Sequence, residues 1–263
     1  MSDNQKNYLK RIRLEKISIL FIQIFIVVVF LAIWEYLAYK GYINTFIYSS
    51  PSRMLSTIKE LIVTNNLFNH IWKTLYEIII SFILGASLGI IIAIILYEFK
   101  YLAKIVEPFL ILLNSMPKVA LGPLIIIIAG ANIKSVIVMA LLINLIVTII
   151  TIYNGFKNTE QNKIKLLQSF KASRLQILFY LVLPNSFNII VSSLKLNVSM
   201  TLIGVIMGEF LVSKEGIGYL IIYGTQIFNL NLVMSGIFIL LIISFILYGI
   251  VTIIERNLDI KNN

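Results

Sequence analysis

An all-α membrane protein with six transmembrane helices is the fold class this sequence predicts, and three observations carry it. Hydrophobic residues make up 59% of the chain and charged ones 13%, and the mean hydropathy of +0.94 lies outside the range of water-soluble domains. Apolar runs long enough to cross a bilayer recur, since a hydrocarbon core of about 30 Å takes about 20 helical residues. Lys and Arg collect in alternate connections between those runs.

The spans are expected at about 17–39, 75–97, 108–130, 133–153, 187–212 and 232–254. The first follows Lys6, Lys10, Arg11, Arg13 and Lys16, a charged start like that of a signal peptide. Its apolar run is too long for one and no small-x-small cleavage site follows, so it reads as a retained span. Between 40 and 73 lies a polar loop with a break at Ser49-Ser50-Pro51-Ser52 and an amphipathic helix over Ser56 to Val63. The second span carries Gly85, Ser87 and Gly89, small residues that let helices approach closely in lipid. After a charged turn (Glu98, Lys100, Lys104, Glu107), the third is broken by Ser115-Met116-Pro117-Lys118 and by Gly122-Pro123. Such an interruption is tolerated at membrane depth where freed backbone groups are buried in protein or line a cavity. The fourth and fifth spans flank the polar stretch 154–185, and a hairpin over Ser213 to Gly218 leads to an apolar segment, Tyr219 to Ile227, too short to cross. That segment is expected to be interfacial or re-entrant.

Six crossings place both termini on one side. Fourteen Lys/Arg fall on that side: the five before the first span, Lys100, Lys104, Lys157, Lys163, Lys165, Lys171, Arg174, Arg256 and Lys261. Lys40, Arg53, Lys59, Lys73, Lys134 and Lys214 make six on the other. The positive-inside rule therefore makes the termini and 154–185 cytoplasmic. The expected organisation is a cytoplasmic basic tail (1–16), a single transmembrane domain (17–254) and a cytoplasmic tail (255–263), in a multi-pass membrane protein.

Several chemistries have no material here. The chain has no cysteine and one histidine, His70, which removes thiolate sites and leaves no His-based metal cluster. No G-x-x-x-x-G-K-[ST] sequence occurs, so the chain is not itself an ATPase. Glu35 and Glu77 fall near the ends of their expected spans and only Glu209 lies farther inside one, a poor basis for acid/base catalysis. The net charge of +10 reflects retained cytoplasmic loops and anionic lipid rather than nucleic acid.

The stretch Lys163 to Pro184 mixes Lys163, Lys165, Lys171 and Arg174 with Ile164, Leu167, Phe170 and Leu175 at helical spacing. From pattern alone it lies on anionic lipid or docks in a partner's groove. It resembles the coupling loop of permease subunits of ATP-binding-cassette importers, whose pattern is Glu-Ala-Ala, three residues, Gly, nine residues, Ile-x-Leu-Pro. Leu181-Val182-Leu183-Pro184 supplies its end, and Lys171-Ala172-Ser173-Arg174 stands where Gly-Ala-Ser is common. Lys165-Leu166-Leu167 replaces Glu-Ala-Ala, and Lys171 replaces the glycine, which predicts a change in local geometry. Three further stretches resemble permeases of the nitrate, sulfonate and taurine type: Ser50-Pro51-Ser52 with Leu55; Pro108-Phe109-Leu110 with Met116-Pro117, Ala120, Pro123 and Leu124; and Glu209-Phe210-Leu211 followed by Gly216-Ile217-Gly218-Tyr219-Leu220.

The resemblance implies a type I importer permease. In a bacterial plasma membrane, two copies would form the channel, two copies of a separate ATPase would carry ATP and Mg, and an extracytoplasmic binding protein would deliver a small anionic organic solute of the sulfonate, taurine or nitrate kind or a pyrimidine vitamin precursor. No cofactor is expected in this chain. Coupling to the ATPase would fall on Lys165, Leu166, Leu167, Gln168, Phe170, Lys171, Ala172, Ser173, Arg174, Leu183 and Pro184. Candidates for the path or gate are Asn114, Ser115, Pro117, Lys118, Asn144, Lys195, Ser199, Glu209, Gly216 and Gly218. Several have a plainer reading. Asn144, Asn197 and Ser199 suit interhelical hydrogen bonds, Lys195 can snorkel to the interface, and Glu209 can pair with Lys214. An ion-coupled secondary transporter would need several midplane carboxylates or unwound carbonyls, and a non-transporting scaffold has no use for a broken helix.

Overall fold

The computed structural model describes residues 3–64 and 66–262; the tips of the two expected tails, 1–2 and 263, lie outside the described residues. Every regular element is helical. In order they are α1 (Asp3–Tyr39), α2 (Thr45–Tyr48), α3 (Pro51–Val63), α4 (Asn66–Glu98), α5 (Lys100–Ser115), a 3-10 turn (Lys118–Leu121), α6 (Gly122–Ala129) and α7 (Ile133–Lys157). There follow α8 (Gln161–Ser169), α9 (Arg174–Ile177), a π turn (Leu178–Val182), α10 (Leu183–Asn185), α11 (Phe187–Val212), α12 (Ile217–Gln226) and α13 (Leu230–Asn262).

Among the described residues, five helices are long and apolar enough to cross a membrane, within α1, α4, α7, α11 and α13. The third expected span is a bent pair, α5 and the Lys118–Ala129 segment, turning by 91° at Met116-Pro117. Pro117 has no N–H to continue the ladder, and the residue before a proline is pushed to extended backbone; Met116 is extended, at φ −71° and ψ 142°. The break was expected, but three boundaries were not. Past Phe99 the charged turn is helical, because Lys100, Lys104 and Glu107 are good helix formers and α5 starts at Lys100 rather than at Pro108. Likewise α4 begins at Asn66, nine residues ahead of the expected span, and the basic tail before Ile17 continues α1. Hydropathy locates the apolar window and not the helix that contains it.

α7 sits at the centre, packed along α4 and α11. Small residues make this possible. Gly204 and Gly208, one turn apart on α11, lie on Ala140 and Val136 of α7, and a Cβ on Gly208 would come within 2.8 Å of the Val136 Cα. On α4, Gly85 faces Asn144 and Gly89 faces Thr148, as the small-residue pattern predicted for those two; Ser87 is exposed. A closed ring of hydrogen bonds stitches the three helices. Asn144 Nδ2 donates to Ser81 O (3.1 Å) and Thr201 Oγ1 (2.7 Å), Thr201 Oγ1 to Asn197 Oδ1 (3.0 Å), Asn197 Nδ2 to Thr148 Oγ1 (2.6 Å) and Thr148 Oγ1 to Asn144 O (2.8 Å).

α1 stands apart, its apolar window exposed to the surroundings, and is tied to α3 by Glu35. The carboxylate accepts Ser52 N (2.9 Å) and Ser52 Oγ (2.8 Å), while Ser50 caps α3 ahead of Pro51 at its first position. The Ser-Pro-Ser motif is thus a helix start clamped to the first span.

Candidate functional site

Two polar regions lie at opposite ends of the α4–α7–α11 core. At one end, α12 starts against α4 and α11, and each of its first three N–H groups meets a side chain. Gly216 N donates to His70 Nδ1 (2.9 Å), Ile217 N to Thr74 Oγ1 (2.8 Å) and Gly218 N to Glu209 Oε2 (2.5 Å). His70 and Thr74 are one turn apart on α4, so one helical face supplies two of the three partners. Thr74 Oγ1 in turn donates to Glu209 Oε1 (2.6 Å). The Glu209 carboxylate occupies the space that a Cβ on Gly216 or Gly218 would take, and Gly216 has φ +112°. Glycine is therefore required twice over at 216.

Glu209 turns inward and is fully buried, while Lys214 is exposed; the expected surface pairing between them is replaced by Thr74 and the α12 N-terminus. Glu77 is the residue that sequence reasoning missed. It was placed near a span end, but because α4 starts at Asn66 it lies about three turns into the helix, buried and beside Glu209. The available signal was that both glutamates sit at the same end of their respective spans. The apolar segment after the hairpin is α12, with Ile217, Leu220 and Ile221 in the core.

At the opposite end, 154–185 is structured rather than a loop. α8 ends in a Schellman motif: Lys171 N donates to Gln168 O (2.9 Å), Ala172 N to Leu167 O (3.0 Å), and Lys171 takes the left-handed conformation at φ +61°. The change in geometry expected from replacing glycine by Lys171 does not occur. The lysine adopts the glycine-like conformation because both backbone bonds and the Leu167–Ala172 packing hold it there. Ser173 then starts α9 with a capping box, accepting Gln176 N (3.3 Å) while its own N–H reaches Gln176 Oε1 (2.7 Å). Pro184 returns no N–H to the carbonyl of Tyr180, and the backbone ahead of it widens into the π turn.

One side of this segment is anchored: Ile177, Leu178 and Val182 are buried with Ala93, Ile152 and Phe156, and Ile164, Leu167, Ala172 and Leu183 pack on them. The other side presents Leu166, Phe170, Leu175, Phe179 and Tyr180, with Phe170 73% and Tyr180 78% exposed. Lys165, Gln168, Ser173, Arg174 and Pro184 are exposed around them.

The remaining path candidates do not converge. Asn114, Ser115 and Pro117 are exposed at the α5 bend, where Lys118 Nζ donates to Asn114 O (2.9 Å) and so caps the end of α5. Asn144 is enclosed in the interhelical ring. Lys195 forms an ion pair with Glu255 and lies 5.9 Å from the Tyr248 ring centroid, linking α11 to α13. Above it Ser199 lines an open groove of about 270 Å³ with Val198, Leu241, Ser244, Phe245 and Tyr248.

Residues 85–260 match the family model of the binding-protein-dependent transport system inner membrane component. The chain belongs to that family. It is a multi-pass inner-membrane permease subunit of an ATP-binding-cassette importer, and it is not the catalytic subunit. A "probable ABC transporter permease protein" of Haemophilus influenzae is 33% identical over 85% of this chain and 90% of its own length. A "putative aliphatic sulfonates transport permease protein" of Bacillus subtilis is 26% identical over 88% of this permease and 83% of its own length. A "formylaminopyrimidine transport permease protein" of Halalkalibacterium halodurans is 26% identical over 65% and 69% respectively. Among solved structures, a chain of the MetNI methionine ABC transporter in an inward-facing conformation superposes with a TM-score of 0.64 at 17% identity, over 74% of this permease and 97% of that chain. At that identity the likeness is one of fold.

Proposed function

We propose that this permease pairs with a second copy of itself, carries a small anionic organic solute delivered by an extracytoplasmic binding protein, and is driven through α8 and α9 by a partner ATPase. The bent α5–α6 pair would count as one crossing, which puts the termini and α8–α9 in the cytoplasm, on the Lys/Arg-rich side.

The observation that carries the coupling assignment is the pairing of a rigid base with an unpartnered apolar ridge. The Schellman turn and capping box fix α8 and α9, and their inner residues are locked to the ends of α4 and α7. A force on Phe170 or Leu175 would therefore be passed to the spanning helices rather than absorbed by a flexible loop. A helix lying on lipid would not need such a base, nor basic and apolar residues interleaved over two short helices set around a turn. The solute assignment rests on the sulfonate-named relative.

The test uses the complete transporter, this permease with its ATPase and binding protein in proteoliposomes. Truncating Phe170 to Ala, or changing Lys171 to Glu, is expected to leave ATP hydrolysis running while uptake falls at least tenfold. Unchanged ATP-driven uptake in both variants would return the segment to the lipid surface. Gradient-driven uptake by the permease without its ATPase would instead favour a secondary transporter.

A further inference from the structure

The hydrogen-bond accounting around Glu77 leaves one group short. Its side chain is fully buried, and neither carboxyl oxygen meets a donor. Beside it lies the carboxyl group of Glu209, which is bonded to Thr74, three residues earlier on α4. Two ionised carboxylates are acceptors only and cannot bond to each other. The donors around Glu209 are already committed, and Ser81 Oγ, one turn on from Glu77 along α4, is itself buried without a partner and does not bond to it. The Thr74 hydroxyl proton goes to Glu209 Oε1, Gly218 N–H goes to Glu209 Oε2, and the Gly216 and Ile217 N–H groups go to His70 and Thr74. Lys73, one turn before Glu77 on α4, is half-buried, and Glu215 in the hairpin is exposed; each is near enough to act on Glu77 through its charge, and neither supplies the missing bond.

We propose that Glu77 and Glu209 form a buried proton-binding site, holding one proton between them with Glu77 as the donor. One proton resolves the whole count. It gives Glu77 a partner, and it leaves Glu209 as the anion that Thr74 and the α12 N-terminus are arranged to receive. The alternative of two uncompensated charges in an apolar core is far costlier than one neutral acid beside one solvated anion. Such a pair is a carboxyl–carboxylate dyad, in which like charges in contact cannot both ionise. Here it has a mechanical consequence. Two of the three bonds that seat α12, those to Thr74 and to Glu209, run through this dyad, so the proton is part of what holds the short helix in place. The proposal concerns the chain alone and stands or falls independently of the coupling assignment.

Infrared difference spectra in H2O and D2O, recorded on the full chain in lipid, test it. The native protein should show a carbonyl band from a protonated, exchange-shifted carboxyl, and Glu77→Gln should abolish it. Because the Gln amide can donate the same bond to Glu209, this variant should keep the native unfolding temperature, whereas Glu77→Ala should lower it. Absence of the band in native protein, or its persistence in Glu77→Gln, would overturn the proposal. Absence of the band together with stability that depends on added Na+ or K+ would assign the site to a metal cation instead. A Glu77→Gln protein as unstable as Glu77→Ala would also count against a shared proton.

Discussion

The two ends of the α4–α7–α11 core handle their side chains in opposite ways. At the Glu209 end, polar groups from three elements are turned inward and spent on one another, and exposed Lys214 and Glu215 are left out of the cluster. At the α8–α9 end, the polar work is done by the backbone, in a Schellman turn and a capping box, and apolar side chains are turned outward. An inward polar cluster holds a helix in place, while an outward apolar ridge on a stiff base invites a partner. The same chain thus carries an internal fastening at one end and an external contact at the other.

That contrast is sharpest in what truncation should do. Replacing Glu209 by Ala strands the Thr74 hydroxyl, the Gly218 N–H and Glu77 together. Hydrogen bonds to a buried charged group are worth about 1.5 to 3 kcal/mol each, so a loss of about 3 kcal/mol is expected in denaturation of the purified chain. The corresponding truncation of Phe170 should cost less than about 0.5 kcal/mol, as at most surface sites. Equal losses at the two positions would erase the distinction. The next effect in size concerns Gly218, where a Cβ would stand 2.7 Å from the Glu209 Oε2 and 3.2 Å from Ile206 O. Overpacking of this kind costs about 1 to 3 kcal/mol, and amide exchange over 216–220 should accelerate in Gly218→Ala. Exchange as slow as in the native chain would show that the carboxylate can move aside. The smallest effect lies at the other end. A lysine in the left-handed region gives up about 1 kcal/mol or more, and glycine returns part of that through greater freedom of the unfolded chain. Lys171→Gly should therefore stabilise the turn by about 0.5 kcal/mol, read as slower amide exchange at Lys171 and Ala172. Faster exchange there would mean that the lysine contributes a contact beyond its backbone.

Much of the fold was legible in advance. The apolar windows, the break at Pro117, the short segment after the hairpin and the close approach at Gly85 and Gly89 all follow from local composition, because length, breakers and small residues act over one or two turns. The candidate sites were legible only in part. Lys163 to Pro184 was recognisable because its residues are contiguous. Asn144 and Asn197 could be named as polar groups in apolar helices, but not as members of one ring with Thr148 and Thr201.

What the sequence determined by itself is the membrane class, the helical windows, the charge bias and the family motifs, all properties of neighbouring residues. Only the tertiary structure decided that Lys171 takes the left-handed conformation that ordinarily favours glycine, with Leu167, Gln168 and the packed ends of α4 and α7 holding it there. Only the tertiary structure brought Glu77 to Glu209 across 132 residues of chain. The physical reason is the same in both cases. A backbone strain or a buried charge is tolerated when several distant groups compensate it at once, and that compensation exists only after the helices have packed.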